Sequence, residues 1–287
     1  MSNESKITIK KICDKIANGQ RISMLSLYDY PFAYLAQQAG IDSIIVGDSA
    51  AMIIYGQQDT LEATMEMMIS HTQAVRRGAP DVYLIADMPY MSYQASIEEA
   101  IHNAGRFIAH AKADAVKLEG GANISKHVRA LTEASVPVVG HLGLLPQSAA
   151  IQGGFKVQAR KADSAQKTLE EALILQESGV CMLILECVPP IVAEEIVKHV
   201  NIPVIGIGSG PACHGQVQIV HDILGLYPRF KPKFVKRYAE LGEDILQALR
   251  KYISEVQSGE YPSEEHCYPM KPGQQEEFLK RVQEMDE

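Results

Sequence analysis

Short apolar segments alternate with helix-like segments along most of the chain, and this alternation constrains the fold more than any other feature. Seven apolar segments have the length and composition of β-strands, and turn residues bound most of them. These predicted strands cover residues 21–29, 43–49, 82–89, 115–119, 136–144, 181–189 and 202–210. Strands this apolar, separated by helices, are typical of a parallel sheet.

The predicted helices complete the repeat and decide the architecture. They cover residues 31–40, 62–77, 96–111, 124–134, 163–178 and 191–200, and an eighth strand is expected within 216–225. Seven or eight strand–helix units favour a (β/α)8 TIM barrel over a doubly wound sheet. No G-x-G-x-x-G follows the first strand, which argues against a dinucleotide-binding fold. A chain of 287 residues suits one barrel, and we predict a single domain over residues 1–287.

Segments at both ends of the chain lie outside the strand–helix repeat. Residues 5–19 predict an amphipathic helix, because four isoleucines recur near helical spacing, and this helix is placed to close the bottom of the barrel. Residues 233–257 predict a further amphipathic helix. The tail over residues 259–287 is rich in proline, glycine and charge, and is expected to leave the barrel.

Composition excludes several classes of function. The formal net charge is −8 and no run of lysine or arginine is present, so nucleic-acid binding is not expected. No apolar run reaches the roughly 20 residues that a membrane span needs. The five cysteines form no C-x-x-C pair and the first 20 residues have no apolar signal region. These features predict a soluble cytoplasmic protein with reduced thiols.

The fourth predicted strand, AVKLE (115–119), carries charge where a buried strand should be apolar. Side chains on a strand alternate, so Lys117 and Glu119 share one face and Val116 and Leu118 share the other. A lysine and a glutamate facing a barrel interior are costly to bury unless something binds there. At the carboxyl end of a barrel strand such a pair indicates a site. The alternative is an ion pair that faces solvent.

Carboxylates stand at the ends of three consecutive predicted strands. They are Asp48, Asp87 and Glu119, and a barrel would bring them together at its mouth. Like charges gathered there repel unless a cation lies between them, and oxygen ligands alone suit Mg²⁺. Lys117 would then attract an anionic substrate. Each aspartate also has an ordinary interpretation, as a turn residue or a helix cap.

The fifth and sixth predicted strands end with two further titratable residues, His141 and Glu186. A single histidine is more often a satisfied core residue than a functional one. Glu186 has apolar neighbours, and without a partner its pKa would rise toward the range of a general base. Pairing of Glu186 with a backbone donor is the alternative. Five such residues at successive strand ends nevertheless favour a functional site.

Nine segments of the chain together resemble the ketopantoate hydroxymethyltransferase family. They are VGDS (46–49), HTQAVRRGAP (71–80), ADMPYMSYQ (86–94), AVKLEGG (115–121), VPVVGHLGLLPQS (136–148), GGFKVQAR (153–160), ILECVP (184–189), IPVIGIGSG (202–210) and SGEYPSEEH (258–266). The resemblance implies a (β/α)8 barrel of the phosphoenolpyruvate/pyruvate-binding type. It also implies transfer of a hydroxymethyl group from 5,10-methylenetetrahydrofolate to 3-methyl-2-oxobutanoate, which gives 2-dehydropantoate.

The resemblance further implies roles for single residues and a state of assembly. Asp48, Asp87 and Glu119 match the carboxylates of the family's Mg²⁺ site, where the glutamate acts through water. Asp48 and Asp87 also match positions close to the substrate. Ser49 and Lys117 match positions that hold the oxo acid, His141 a histidine of the pocket, and Glu186 the proton acceptor. The family assembles as a homodecamer in which the C-terminal segment is exchanged between subunits.

The chain departs from the family pattern mainly in the loop over residues 50–64. DSAAM (48–52) stands where the family usually has DSLGM, and QDTLEAT (58–64) replaces another typical run. Two other functions therefore stay open at this point. One is a Mg²⁺-dependent 2-oxo-acid lyase or mutase of the same superfamily, although none of the five cysteines lies in the loop typical of such lyases. The other is a non-catalytic paralogue.

Overall fold

Eight parallel strands form a closed barrel in the computed structural model, which describes residues 6–227 and 232–286. Each strand pairs with the next, and β8 pairs with β1. The strands are β1 (Ile22–Ser26), β2 (Ser43–Val46), β3 (Tyr83–Asp87), β4 (Ala115–Glu119), β5 (Val138–Gly143), β6 (Met182–Glu186), β7 (Val204–Ile207) and β8 (Gly215–Ile219). The predicted (β/α)8 barrel is confirmed, and the eighth strand begins one residue before the expected segment.

Helices follow the strands in the order that the sequence predicts. They are α1 (Ile9–Ala17), α2 (Tyr30–Gln38), α3 (Ala50–Ile53), α4 (Met65–Gly78), α5 (Ile97–His110), α6 (Ser125–Glu133), α7 (Ala149–Gln152), α8 (Ala162–Ser178), α9 (Pro190–His199), α10 (Val220–Ile223), α11 (Leu241–Ser258) and α12 (Gln274–Met285). Side-chain caps begin several of them. Asp29, Thr64 and Ser96 each accept a hydrogen bond from the backbone N–H three residues later.

Two apolar layers hold the barrel together. The inner layer fills the barrel with residues such as Ile85, Val139 and Ile205, and the outer layer lies between strands and helices. On β4, Val116 and Leu118 belong to the outer layer and Ala115 to the inner one, so the predicted alternation is correct.

The predicted N-terminal helix is shorter than expected and packs against the inner layer. Helix α1 covers nine residues, and its Ile12 is fully buried in the inner cluster. Ile7, Ile9 and Ile16 pack against the same cluster and are partly buried. The helix therefore covers apolar side chains at the amino ends of the strands, as the isoleucine spacing predicts.

The C-terminal helix predicted over 233–257 begins later, at Leu241. Phe234 and Val235, at the start of the predicted helix, instead pack within the first part of the chain, where Val235 is buried and Phe234 lines a cavity. Glu243 and Asp244 lie in the first turn of α11, where carboxylates favour a helix start.

The chain divides into two compact units, residues 1–239 and 240–287. The second unit, taken by itself, contains α11 and α12, so the expected tail over 259–287 includes a helix. The single domain over residues 1–287 stays a prediction. Among the described residues, no helix combines the length and the hydropathy that crossing a membrane requires.

Candidate active site

A cavity of about 720 Å³ opens at the carboxyl ends of the barrel strands. Most of the site residues predicted from the sequence line it, namely Asp48, Ser49, Asp87, Lys117, His141 and Glu186. Glu119 is also buried, and its carboxylate contacts the Lys117 ammonium. The expected convergence at the barrel mouth is therefore found.

Strand register explains why these side chains meet. Asp87, Glu119 and Glu186 are the last residues of β3, β4 and β6. Asp87 pairs in register with Lys117, and Glu119 pairs with His141, so neighbouring strands place these side chains side by side. His141 lies inside β5 and not at its end, which corrects the sequence-based placement.

Lys117 lies between two buried carboxylates. Its Nζ is 2.8 Å from Asp87 Oδ2 and 3.1 Å from Glu119 Oε1. Burial lowers the pKa of Lys117, but Asp87 and Glu119 outweigh it and raise the pKa well above the usual value. Burial also disfavours the charged form of Glu119, yet Lys117 and His141 lower the pKa of Glu119 to about 2. The ion pair is therefore charged at neutral pH, and it faces the cavity rather than bulk solvent.

Asp48 and Asp87 approach each other closely enough to repel. The backbone N–H of Asp48 donates to Asp87 Oδ2 at 3.1 Å. Burial and the Asp87 charge raise the pKa of Asp48, and burial raises that of Asp87. Asp87 Oδ1 is buried and accepts no hydrogen bond from the residues that the structure describes. A buried oxygen without a hydrogen bond, on one of two mutually repelling carboxylates, fits a bound cation.

The three predicted metal ligands do not form a ready-made cluster. Within residues 6–227 and 232–286, no three His, Cys, Asp or Glu side chains are arranged as a metal site. Lys117 contacts both Asp87 and Glu119, so its ammonium occupies the position between them. The part of the wall that suits a cation is formed by Asp48 and Asp87, and the metal role of Glu119 stays a prediction.

His141 connects Glu119 to Glu186. Its Nδ1 is 3.3 Å from Glu119 Oε1, and its Nε2 is 3.3 Å from Glu186 Oε2, an ion-pair contact without hydrogen-bond geometry. Burial and Lys117 lower the pKa of His141, but the two glutamates outweigh them and raise it to about 9. The partner of Glu186 is thus a side chain, whereas the sequence suggested either no partner or a backbone donor. A charged imidazole faces it from the adjacent strand.

The backbone at Glu186 is fixed by its neighbours. Its carbonyl accepts a hydrogen bond from Leu144 at 2.8 Å, and the next residue, Cys187, has a positive φ of 49°. Gly143 has φ +96°, and a Cβ there would lie 2.1 Å from the Glu186 carbonyl oxygen. Only glycine permits this close approach. The position of the Glu186 side chain is thus set by local backbone constraints.

Gln147 is a buried site residue that the sequence reasoning missed. Its Nε2 donates to Asp48 Oδ2 and to the Met88 carbonyl, both at 2.9 Å, and its backbone N–H donates to Glu119 Oε2 at 3.0 Å. Its Oε1 accepts from the hydroxyl of Tyr93 at 3.0 Å. One residue therefore orients two of the carboxylates, Asp48 through its side chain and Glu119 through its backbone N–H. Gln147 lies in the GHLGLLPQS segment, but an uncharged side chain in a loop gave no chemical signal.

Ser49 and residues of the altered loop also line the cavity. The Ser49 hydroxyl is 2.8 Å from the hydroxyl of the buried Tyr28. Ala50 and Ala51, where the sequence departs from the family pattern, are buried in α3, and Met52 and Ile53 line the cavity. The departure therefore preserves an ordered, apolar wall beside Ser49.

Sequence comparison identifies the relatives of this chain. A model of the ketopantoate hydroxymethyltransferase family matches residues 6–264. The 3-methyl-2-oxobutanoate hydroxymethyltransferase of Syntrophobacter fumaroxidans is 50% identical over 268 residues, which are 93% of this chain and 94% of that relative. The chain belongs to the ketopantoate hydroxymethyltransferase family. Another relative with the same activity in its name, from Moorella thermoacetica, is 48% identical over 93% of this chain and 100% of its own length.

Membership of the ketopantoate hydroxymethyltransferase family confirms the resemblance expected from the motifs. Solved structures of other proteins share the fold at low identity. A 2,3-dimethylmalate lyase of the PEP mutase/isocitrate lyase superfamily has a TM-score of 0.58 at 14% identity, covering 96% of this chain and 94% of that one. A phosphonopyruvate hydrolase in complex with oxalate and Mg²⁺ has a TM-score of 0.57 at 13% identity, covering 97% and 98%. These likenesses support the (β/α)8 barrel fold.

Proposed function

We propose that the chain transfers a hydroxymethyl group from 5,10-methylenetetrahydrofolate to 3-methyl-2-oxobutanoate, giving 2-dehydropantoate. Family membership and the activity in the names of its relatives support this function. The observation that carries it is the lining of one cavity, which contains Asp48, Asp87 and Lys117 together with a separate carboxylate, Glu186. Such a lining suits an anionic oxo acid and leaves one carboxylate for proton transfer.

The metal in this proposal is Mg²⁺, held by Asp48 and Asp87, with Glu119 acting through water. The unpaired oxygen of Asp87 and the all-oxygen donor set support this choice. A structural neighbour of low identity was solved with Mg²⁺ and oxalate, itself a small anion. Bound Mg²⁺ would polarise the 2-oxo group and so make the neighbouring C–H more acidic.

The residues of the chain then have the following roles. Lys117 and Ser49 bind the oxo acid, and His141 lines its pocket. Glu186 accepts the proton from C3, and the resulting carbanion forms a bond to the one-carbon unit. Both bonds from that carbon to the two nitrogens of the folate break, and water supplies the hydroxyl group. The remaining proton of the water and the proton taken from C3 go to the two nitrogens, and tetrahydrofolate leaves. His141 Nε2 lies 3.3 Å from Glu186 Oε2, so the histidine stands beside the proposed proton acceptor.

The volume of the cavity supports a second, larger substrate. About 720 Å³ lies within the range of sites that bury a drug-sized ligand. An oxo acid of five carbons would occupy only a small part of this space. The remainder is available for the ring system of a folate.

Proton NMR of 3-methyl-2-oxobutanoate in D₂O tests the proposal. Exchange at C3 that needs protein and Mg²⁺ and stops with a chelator would support enolisation, and product after addition of methylenetetrahydrofolate would complete the reaction. Exchange without product would point to another one-carbon donor. Failure of exchange by folded protein would favour the lyase, the mutase or the non-catalytic paralogue.

Replacing Gln147 by alanine is expected to weaken Mg²⁺ binding by about 10–100-fold, the usual effect of removing a partner that orients metal ligands. The substitution removes the side-chain donor to Asp48. Titration calorimetry with Mg²⁺ measures the effect. Gln94→Ala is the matched control, because Gln94 bonds to Gln147 and to neither carboxylate. Equal Mg²⁺ affinity in both variants would show that the Gln147 side chain does not orient Asp48 for metal binding.

A homodecamer and a cytoplasmic location complete the proposal. The second unit, taken by itself, leaves apolar residues of α11 exposed, including Ile245, Leu249 and Tyr252. Such a face suits burial in an assembly. Light scattering would give ten times the 31.5 kDa of one chain for a decamer, and a monomer mass would exclude it.

A further inference from the structure

One carboxylate in the cavity has no role in the proposed reaction. Away from Asp87 and Lys117, apolar side chains dominate the lining, including Leu144, Phe155, Ile219 and Phe234. Asp222 of α10 lines the same cavity. A carboxylate in a mainly apolar wall is costly unless a ligand compensates it.

Asp222 is almost fully buried, with only 8% of its surface exposed. No described residue donates a hydrogen bond to its carboxylate, although Arg237 is near enough to influence its charge. Burial raises the pKa of Asp222 to about 6, and the positive charge of Arg237 opposes that rise. Asp222 is therefore mostly charged at neutral pH while its oxygens accept nothing from the protein that the structure describes.

Tyr28 lies near both Asp222 and a residue proposed to bind the oxo acid. The Tyr28 hydroxyl is 2.8 Å from Ser49 Oγ, and its ring stacks on His221 with centroids 5.7 Å apart. Asp222 follows His221 in α10, and its charge acts on Tyr28. Ser49 and Asp222 line the same cavity, which has room for a ligand larger than the oxo acid.

We propose that Asp222 binds the head group of the one-carbon donor, by accepting hydrogen bonds from the ring N–H and the adjacent amino group of its pterin. These two donors lie side by side on the edge of the ring, so one carboxylate accepts both in a bidentate pair. The ring faces would contact apolar side chains of the cavity, which include the aromatic Phe234 and Tyr227. This inference rests on the proposed function and adds the residue that selects its second substrate.

Asp222→Asn keeps the shape of the side chain but replaces one acceptor oxygen by an NH2 donor. That donor faces the N–H donors of the pterin edge and cannot accept their hydrogen bonds. The KM for methylenetetrahydrofolate is expected to rise about 10–100-fold, since a hydrogen bond to a charged group contributes on this scale. C3 exchange of 3-methyl-2-oxobutanoate in D₂O needs no folate, so its rate should stay at the wild-type value. Glu177→Gln removes an exposed carboxylate on α8 and serves as the matched charge control.

Tetrahydrofolate binding and the melting temperature decide between the outcomes. Tetrahydrofolate binding, followed by fluorescence titration without turnover, should weaken in Asp222→Asn and not in Glu177→Gln. An unchanged KM and unchanged tetrahydrofolate affinity would overturn the inference. A lower melting temperature with unchanged folate binding would assign Asp222 a purely structural role. If wild-type protein shows neither C3 exchange nor product, the proposed function itself fails, and that result is distinct from a failure of the Asp222 variant alone.

Discussion

Replacing Glu186 by glutamine is expected to lower turnover by about 10²–10⁴-fold, the usual contribution of a positioned proton acceptor. The amide has nearly the shape of the carboxylate but cannot take up the C3 proton at neutral pH. Asp48 and Asp87 are unchanged by the substitution, so Mg²⁺ binding should stay nearly intact. The oxo acid should also still bind, since Lys117 and Ser49 are retained.

Three measurements separate an effect on the chemical step from an effect on binding in this variant. Steady-state kinetics should show a fall in kcat with little change in KM, and NMR should show loss of C3 exchange without folate. Calorimetry should give a Mg²⁺ affinity close to that of the wild type. Turnover equal to that of the unmodified protein would exclude Glu186 as the proton acceptor. Loss of Mg²⁺ binding would instead show that the substitution, acting through His141, displaces the residues that hold the metal.

Replacing Lys117 by methionine is expected to lower the free energy of unfolding by about 3–5 kcal/mol, because removing one partner of a buried ion pair leaves the other charges uncompensated. Methionine fills similar space, so the effect of a cavity is small. Asp87 and Glu119 lose the ammonium that lies within 3.1 Å of both. Oxo-acid binding should weaken as well, since the cavity loses its buried cation.

Urea unfolding of the unmodified protein and of Lys117→Met measures this loss, from the urea concentration at which half of each protein is unfolded. The control is Lys167→Met on α8, where the lysine side chain is 73% exposed and pairs with Glu171 only at 3.9 Å. A change within about 0.5 kcal/mol is expected there. Added Mg²⁺ should restore part of the stability of Lys117→Met, since a cation beside Asp87 replaces some of the missing charge. Equal midpoints for both variants would contradict the proposed importance of the buried pair.

The sequence predicted the fold and most of the site because both follow from local patterns. Apolar strands with period two placed Lys117 and Glu119 on one face, and the parallel barrel placed the strand ends at one mouth. Asp87, Glu119 and Glu186 accordingly end their strands. These inferences needed only the order of the elements.

Contacts between distant segments were beyond such reasoning. Gln147 bonds to Asp48, 99 positions away, and nothing in the composition of its loop indicates that contact. His141 reaches Glu186 diagonally, because the register of β5 and β6 pairs His141 with Ile184, two residues before Glu186. The sequence alone does not give this register. The start of α11 at Leu241 depended on where Phe234 and Val235 pack, which is also a tertiary effect.

The packing of α1 has a consequence for how the chain folds during its synthesis. The inner cluster that buries Ile12 includes Ile205 of β7 and Val217 of β8, and β1 is hydrogen-bonded to β8. β8 leaves the ribosome roughly 190 residues after β1, a delay of about 10–40 s at ordinary rates of translation. The first helix therefore cannot reach its final burial until the last strand is made. In nascent chains that stop before β8, the isoleucines of α1 should stay available to chaperones and proteases.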